Sequence, residues 1–196
     1  GADVVLAART PEQLEETAGK VRALGRRALA VRCDVMQRAD LENLVTQTMA
    51  TFGRIDVLVN NAGGPPPGEA LRTSERLFNE AFQFNVTSAF LLTRFVVEHM
   101  LAGDGGSVVN ISSAAGRFVQ SGFVAYGTAK AALSFMTRLL AHELAPKVRL
   151  NAIAVGATET TALAPFLNDE LRAKMEAMTP MRRIGTVEDI AIAALY

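Results

Sequence analysis

Short, continuous apolar runs alternate with helical patterns along this chain, and this alternation limits the possible folds more than any other feature. The runs are typical of strands and cover residues 4–8, 28–33, 55–59, 107–111 and 148–155. None shows the polar alternation of a strand with one wet face, so helices are expected to cover both faces. The sequence therefore predicts an α/β fold with a doubly wound parallel sheet, whose ligands bind at the carboxyl ends of the strands.

Helical periods fill the intervals between these strands. They run from Pro11 to a stop at Gly25, around residues 41–49 to a stop at Gly53, and over residues 73–101, 123–145, 169–178 and 187–196. Thr10 begins a capping-box pattern, and Thr186 is expected to cap the last helix. An irregularity is expected near Asn85.

Composition excludes several classes of protein. The 196 residues, 49% of them hydrophobic, predict one globular domain over residues 1–196. Twenty basic and twenty acidic side chains cancel without a basic run, so no nucleic-acid partner is expected.

Cys33 is the only cysteine, which excludes an internal disulfide and fits a reducing cytoplasm. The apolar stretch 89–101 is too short and too charged to span a bilayer. His99 and His142 have no neighbouring cysteine or histidine, so no metal site is expected.

Tyr126 and Lys130 stand four residues apart, on one face of a predicted helix. A unit charge near 4 Å at an effective dielectric of about 20 contributes roughly 4 kcal/mol. An ammonium at that distance favours the phenolate and would make the tyrosine a proton-transfer group. Ser113, thirteen residues earlier, could hold the substrate oxygen. Taken alone, the spacing is far more often that of an ordinary surface contact.

Chemically distinctive residues follow the predicted strands. They are Arg9, Asp34, the run Asn60-Asn61-Ala62-Gly63, Ser113 and Gly156. Because the carboxyl ends of parallel strands share one edge of the sheet, this edge is the expected ligand site. The loop 63–68 is a weak candidate for a phosphate cradle, because no Lys-Ser/Thr pair follows it.

Five motifs in order resemble the classical short-chain dehydrogenases/reductases. They are Asn60-Asn61-Ala62-Gly63, Asn85, Asn110-Ile111-Ser112-Ser113-Ala114-Ala115-Gly116, Tyr126 and Lys130. The match covers essentially the whole chain, and the stretch 179–191 is similar to that of bacterial hydroxysteroid dehydrogenases and 3-oxoacyl-carrier-protein reductases. The resemblance implies a Rossmann-like fold and an oxidoreductase that moves hydride between NADP(H) or NAD(H) and a carbonyl or secondary alcohol.

The resemblance also implies catalytic roles for four residues. Tyr126 is expected to exchange a proton with the reacting oxygen, and Lys130 to favour the phenolate and hold the nicotinamide ribose. Ser113 is expected to bind the reacting oxygen, with Ser112 as its rival. Asn85 is expected to position a water that links Lys130 to solvent, although a satisfied amide at a helix interruption is a compatible structural reading.

Further positions are expected to bind the dinucleotide. The implied set, besides Tyr126 and Lys130, is Arg9, Asp34, Val35, Asn61, Ala62, Gly63, Gly156, Thr158 and Thr160. The family usually has proline where this chain has Val155, which frees φ and restores an N–H, so a looser loop is expected. Ala7 and Ala8 offer no acid to a ribose 2′-hydroxyl, and Arg9 can bind a 2′-phosphate. NADP(H) is therefore favoured over NAD(H), unless Arg9 stacks on adenine, which would suit either.

The resemblance places the strand 4–8 second in the family's sheet. The first strand, its glycine-rich turn and the last strand are therefore expected outside the sequence as given, which leaves two facing strands without a ladder partner. Three alternatives to the active oxidoreductase remain open. They are an inactive fragment, a dinucleotide-sensing or scaffold protein of the same fold, and a related isomerase or dehydratase on that fold.

Apolar residues around the expected site favour a hydrophobic small molecule as substrate. They lie in the segments 65–72, 116–123 and 161–179 and include Phe118, Phe123, Leu163, Phe166 and Leu167. The two long helices are also rich in apolar positions. In the family, the corresponding helices pair across a dimer interface, so a homodimer or homotetramer is expected.

Overall fold

The computed structural model describes residues 1–64, 68–160, 163–164 and 167–195. Within these ranges five strands form, namely β1 (Val4–Ala8), β2 (Ala28–Arg32), β3 (Val57–Asn60), β4 (Gly106–Ser113) and β5 (Val148–Val155). The α-helices of the same ranges are α1 (Pro11–Ala23), α2 (Arg38–Phe52), α3 (Glu75–Phe82), α4 (Ser88–Ala102), α5 (Val124–Leu144), α6 (Asp169–Met178) and α7 (Val187–Leu195). Strands and helices alternate through β5, as the apolar runs predict.

All the ladders are parallel, which confirms the predicted α/β class. β1 pairs with β2, and β3, β4 and β5 form a second sheet in that order. Among the described residues, β1 and β3 have no ladder to each other, although Ala8 and Val59 line the two sides of one cleft. The sheet is therefore interrupted between β1 and β3, the two strands that the resemblance leaves without a ladder partner.

The main core lies on one face of the strands. Leu41 of α2, Leu92 of α4 and Leu140 of α5 pack there with Val31 and Val108. The right-handed crossovers from β1 to β2 and from β2 to β3 run in opposite directions, which places α1 and α2 on opposite faces. The described part of the chain is thus layered as the doubly wound prediction requires.

The prediction that every strand is covered on both faces is wrong at β3. Val57 and Val59 are 58% and 46% exposed. Both point away from the core face, where α4 packs on this strand. No described helix covers the other side of β3, so its apolar side chains remain open to solvent.

Several boundaries differ from the sequence prediction. Thr10 makes no capping hydrogen bond, so that capping-box prediction is wrong. Gly53 ends α2 at φ 73°, and the Thr186 hydroxyl accepts the N–H of Asp189, as predicted. The long helical region is broken by a π-helical turn, Gln83–Thr87, which confirms an irregularity at Asn85. The predicted helix end at Tyr196 lies outside the described residues.

Candidate functional site

Ser113 and Tyr126 are brought together by a close contact between strand β4 and helix α5. A 3₁₀ turn, Ala114–Gly116, follows β4 and packs on the helix. A Cβ at Gly116 would lie 2.7 Å from the backbone nitrogen of Ala131, and one at Gly127 would lie 2.8 Å from the Ala115 carbonyl oxygen. Only glycine fits at these two positions without displacing backbone. Because glycine has no side chain, strand and helix can lie this close together.

Lys130 lies one turn after Tyr126 and is only 2% exposed, whereas Tyr126 is half-buried. The Lys130 Nζ atom lies 5.7 Å from the centre of the Tyr126 ring and donates a hydrogen bond of 2.7 Å to the carbonyl oxygen of Ile111. Burial lowers the pKa of Lys130 from 10.5 to about 8, because the apolar surroundings disfavour its charged form. A buried amine with a lowered pKa therefore borders the only tyrosine in the described residues.

Asn85 is 1% exposed and meets Lys130 around Gly63. A Cβ at Gly63 would lie 2.7 Å from the Lys130 Nζ and 3.0 Å from the Asn85 Oδ1. The Asn85 Oδ1 accepts the Gly64 N–H at 3.2 Å, and its Nδ2 donates to the carbonyls of Gly64 and Ala81. The amide thus fixes the loop after β3 against the π-helical turn, which keeps the approach to Lys130 open.

Ser112 and Ser113 face different neighbours at the end of β4. Ser112 is 2% exposed, and its hydroxyl donates to the Lys130 carbonyl at 3.0 Å and lies 2.6 Å from the Ser134 hydroxyl. Ser113 is half-buried, and its Oγ accepts the Ala115 N–H at 3.2 Å. The Ser112 hydroxyl is committed to helix α5, so the structure favours Ser113 as the one available to a ligand. Both serines lie in β4, which runs two residues beyond its predicted end.

A buried polar chain crosses the sheet directly beneath this site, and the sequence reasoning missed it. Asn60 donates to Thr93 of α4 at 3.1 Å and to the Asn110 side-chain oxygen at 2.8 Å. Asn110 in turn donates to Thr137 of α5 at 2.8 Å. The available signal was an asparagine inside each of two apolar strands, and the register pairs those two residues directly. The chain joins both long helices to the strands that carry the site.

Residues predicted to bind the adenosine half of a dinucleotide line one cleft of about 390 Å³. Six of the predicted residues meet there, namely Arg9, Asp34, Val35, Asn61, Ala62 and Gly63. Arg9 is exposed at the end of β1. An Asp34 carboxylate oxygen accepts the Met36 N–H at 3.0 Å, which shapes the turn after β2. The cleft also reaches apolar side chains of α2 and α4 through the gap between the two sheets.

Gly156, Thr158 and Thr160 lie on the loop after β5. Val155 is still in the ladder, paired with Ser113, and Gly156 is the first residue beyond it. Thr158 forms a parallel bridge with Gly185, and the Thr160 hydroxyl accepts the Leu163 N–H at 3.2 Å. This loop therefore begins beside Ser113, on the other side of β4 from the adenosine cleft.

One of the predicted substrate-side aromatic residues, Phe123, contacts Tyr126. The Phe123 ring lies 6.0 Å from that of Tyr126 in an edge-on contact, and Phe118 is 73% exposed. The Gly68 N–H donates to the Gly122 carbonyl at 2.8 Å, which joins two of the three predicted substrate segments. Phe166 and the prolines at 65–67 lie outside the described residues.

The remaining candidate residues lie in ordinary core or surface environments. Cys33 is buried in the core, and burial raises the pKa of its thiol to about 11. His99 and His142 are exposed, and the described ranges hold no group of three potential metal ligands. Within the same ranges, no helix combines the length and apolar character needed to cross a membrane.

Comparison with known proteins agrees with this fold. A family model described as enoyl-(acyl carrier protein) reductase matches residues 1–196. An uncharacterized oxidoreductase of Mycobacterium tuberculosis is 50% identical over 100% of this chain and 75% of its own length. The 7alpha-hydroxysteroid dehydrogenase of Escherichia coli K12 is 35% identical over 100% of this chain and 77% of its own.

A solved structure gives the same result in three dimensions. It is a 7 alpha-hydroxysteroid dehydrogenase complexed with NADH and 7-oxo glycochenodeoxycholic acid, with a TM-score of 0.95 and 35% identity. The likeness covers 100% of this chain and 76% of that one. Fold and site together define a nucleotide-binding α/β oxidoreductase. The chain belongs to the short-chain dehydrogenases/reductases, an NAD(P)-dependent enzyme family.

Proposed function

We propose that this protein interconverts a carbonyl and a secondary alcohol, with Tyr126 as the general acid/base. The observation that carries the proposal is the buried Lys130 one helical turn from a half-buried Tyr126, at the end of the strand that carries Ser113. A bound nicotinamide dinucleotide supplies or accepts the hydride. In reduction, Tyr126 gives its proton to the carbonyl oxygen as the hydride reaches the carbon, and in oxidation it takes that proton back.

Three other residues support this proton transfer. Ser113 donates a hydrogen bond to the reacting oxygen, which stabilises the negative charge that develops there. Lys130 has two N–H donors besides the one on Ile111, and these hold the ribose hydroxyls of the cofactor. The Asn85 side-chain amide is engaged with Gly64 and Ala81. Asn85 therefore acts through its backbone carbonyl in the π-helical turn, which binds the water that links Lys130 to solvent.

The residues present fit a dinucleotide that lies across the carboxyl ends of the strands. The adenosine cleft lies on one side of β4, and the loop of Gly156, Thr158 and Thr160 lies on the other. Gly63 leaves open the space beside Lys130 that a side chain would fill. In this arrangement Asp34 and Val35 would hold the adenine, Asn61 to Gly63 the adenosine ribose, and the loop after β5 the nicotinamide amide.

NADP(H) is the proposed cofactor because of the side chains at the end of β1. Arg9 is exposed in the cleft beside Ala7 and Ala8, so a guanidinium stands where a competing carboxylate would select NAD. A related enzyme of known structure is complexed with NADH, so the preference depends on Arg9 and not on the family. If Arg9 stacks on adenine instead, either cofactor would be used.

The proposed substrate is a hydrophobic small molecule, and the proposed assembly is a homodimer or homotetramer. Phe123 packs edge-on against Tyr126, and Phe118 is an exposed apolar side chain in the same predicted substrate segment. Phe90 of α4 and Phe135 and Leu139 of α5 are exposed apolar side chains on the two long helices, which suits pairing with a second copy. The single buried cysteine is compatible with the reducing cytoplasm, which is the proposed location.

A carbonyl-reduction assay tests the function. The protein is incubated with NADPH or NADH and a panel of apolar ketones, including oxo-steroids, and nucleotide oxidation is followed by absorbance. Dinucleotide binding is measured separately by calorimetry. Ketone-dependent oxidation is the expected result. Tight dinucleotide binding without turnover on any ketone would instead support the sensing or scaffold alternative, and absence of both would indicate an inactive polypeptide.

A further inference from the structure

The stretch before helix α7 carries a cluster of polar contacts that the proposed chemistry does not use. The Asp189 carboxylate accepts two hydrogen bonds from the Arg183 guanidinium, at 2.6 and 2.9 Å, one on each oxygen. It also accepts the Thr186 N–H at 2.9 Å, while the Thr186 hydroxyl accepts the Asp189 N–H at 3.2 Å. These hydrogen bonds hold the pKa of Asp189 well below its ordinary value, the Arg183 bond contributing most.

Gly185 lies between Arg183 and Thr186 of this cluster, and its backbone pairs with the loop after β5. The Gly185 N–H donates to the Ala157 carbonyl at 2.9 Å, and the Gly185 carbonyl accepts the Glu159 N–H at 2.9 Å. Between these two bonds, Thr158 and Gly185 form a parallel bridge. A Cβ at Gly185 would lie 3.3 Å from the Ala157 oxygen and 3.4 Å from the Thr158 hydroxyl oxygen, so the approach is close.

The turn that delivers Arg183 is held in an uncommon conformation. Arg182 has φ 54°, in the left-handed region that non-glycine residues seldom adopt. Its N–H donates to the Thr179 carbonyl at 2.8 Å, and its side chain donates to the Ala177 carbonyl at 2.7 Å. Backbone strain of this kind persists only where the surroundings over-determine it. The turn is therefore fixed from both sides, by α6 and by the Asp189 carboxylate.

An exposed ion pair alone contributes little to overall stability. The Arg183 and Asp189 side chains are 52% and 38% exposed, so a purely stabilising role would be small. Their two-pronged geometry instead fixes direction, because a planar guanidinium and a carboxylate meet in one orientation. The ion pair orients Gly185, and Gly185 in turn orders the segment from Ala157 to Glu159.

We infer that Asp189 is a positioning residue for the cofactor's nicotinamide end. Through Arg183 and Thr186 it holds Gly185 against the loop after β5, and so keeps Gly156 and Thr158 in a binding-competent conformation. The inference rests on the proposed function, which assigns that loop to the nicotinamide amide. It adds that Asp189 of helix α7 sets the orientation of this loop, although residues 160–185 separate the two in sequence.

The test compares ligands that do and do not reach this loop. Asp189→Asn keeps the size of the side chain but removes the charge-paired acceptor. If the competent loop population falls to about a tenth, the Kd for NADPH rises about tenfold. The Kd for 2′,5′-ADP, which lacks the nicotinamide half, is expected to stay unchanged. Arg183→Lys, which keeps the charge but cannot make both hydrogen bonds, is expected to fall between Asp189→Asn and the wild type.

Asp56→Asn provides the matched control. Asp56 also binds an arginine through both oxygens, Arg54 at 2.6 to 3.1 Å, but at the amino end of β3. This variant is expected to leave both Kd values unchanged. The inference is overturned if Asp189→Asn leaves NADPH binding unchanged, or if it weakens both ligands equally. If the wild-type protein binds neither NADPH nor NADH, the proposed function fails, and the inference falls with it.

Discussion

The Lys130 ammonium nitrogen lies 5.7 Å from the centre of the Tyr126 ring while it donates a hydrogen bond to the Ile111 carbonyl at 2.7 Å. This one contact links helix α5 to strand β4 two residues before Ser113. The strand that presents the serine therefore also anchors the cation beside the tyrosine. Any movement between β4 and α5 would change both at once, and under the proposed function it would alter the chemistry.

Lys130 makes the stability of the protein depend on pH. Its pKa is about 8 in the folded state and near 10.5 in the unfolded chain, so between these values the unfolded state binds more protons. Stability should therefore rise as pH increases from 8 toward 10.5, by up to roughly 3 kcal/mol at about 1.36 kcal/mol per unit. Denaturant unfolding at pH 7 to 9.5 measures this rise. Lys130→Met should lack it, and an equal rise in that variant would exclude Lys130 as its source.

The two adjacent serines should separate by phenotype. Ser113→Ala is expected to lower kcat by about 10²–10³-fold, the usual cost of a lost donor to a developing oxyanion, with the KM for NADPH unchanged. Ser112→Ala should instead lower the free energy of unfolding by about 1–3 kcal/mol, because its partners on α5 lose a buried hydrogen bond. Steady-state kinetics and urea titration of both variants check this. A larger kcat loss in Ser112→Ala would reverse the assignment.

Gly127→Ala tests the close contact between β4 and α5. Alanine gains about 1 kcal/mol of helix propensity, but its Cβ would lie 2.8 Å from the Ala115 oxygen, and overpacking costs about 1–3 kcal/mol. Net destabilisation and a lower kcat are expected. Gly19→Ala in α1 is the control, since a Cβ there meets nothing within 4 Å and only the propensity gain remains. Equal stabilisation of both variants by thermal unfolding would contradict the packing argument.

Arg9→Ala should change cofactor preference. Loss of a charged hydrogen bond to a 2′-phosphate, about 1.5–3 kcal/mol, should raise the KM for NADPH by roughly tenfold or more and leave that for NADH unchanged. Arg149→Ala, at the amino-terminal half of β5, is the control and should affect neither. A parallel rise in both KM values for Arg9→Ala would favour stacking of Arg9 on adenine.

Sequence patterns predicted the fold well where local chemistry decides it. The apolar run 148–155 and the helical period 169–178 coincide with β5 and α6, because hydrophobic periodicity and a capping Asn168 fix them locally. The exposure of Val57 and Val59 is not encoded in the strand's own residues, because it depends on which elements cover β3. A run of apolar residues says only that a strand can be buried, and not that a neighbour is present.

The closeness of several candidate residues could be predicted from the sequence, but the contacts that connect them could not. The i, i+4 spacing placed Tyr126 and Lys130 together, because helix geometry alone requires it. The Asn60–Asn110 hydrogen bond depends on strand register, and the contact between Gly185 and Ala157 depends on how a distant loop folds back. Such long-range pairings are set by tertiary packing, which no local pattern records.

Turnover by Tyr126→Phe tests the central claim most directly. The substitution removes only the hydroxyl, so thermal stability should match the wild type and NADPH should still bind, while kcat for ketone reduction falls by about 10²–10⁴-fold, the contribution of a general acid. Measured with the full panel at saturating NADPH, that selective loss would support Tyr126 as the proton donor. Turnover close to that of the wild-type protein would contradict it and remove the basis of the proposed mechanism.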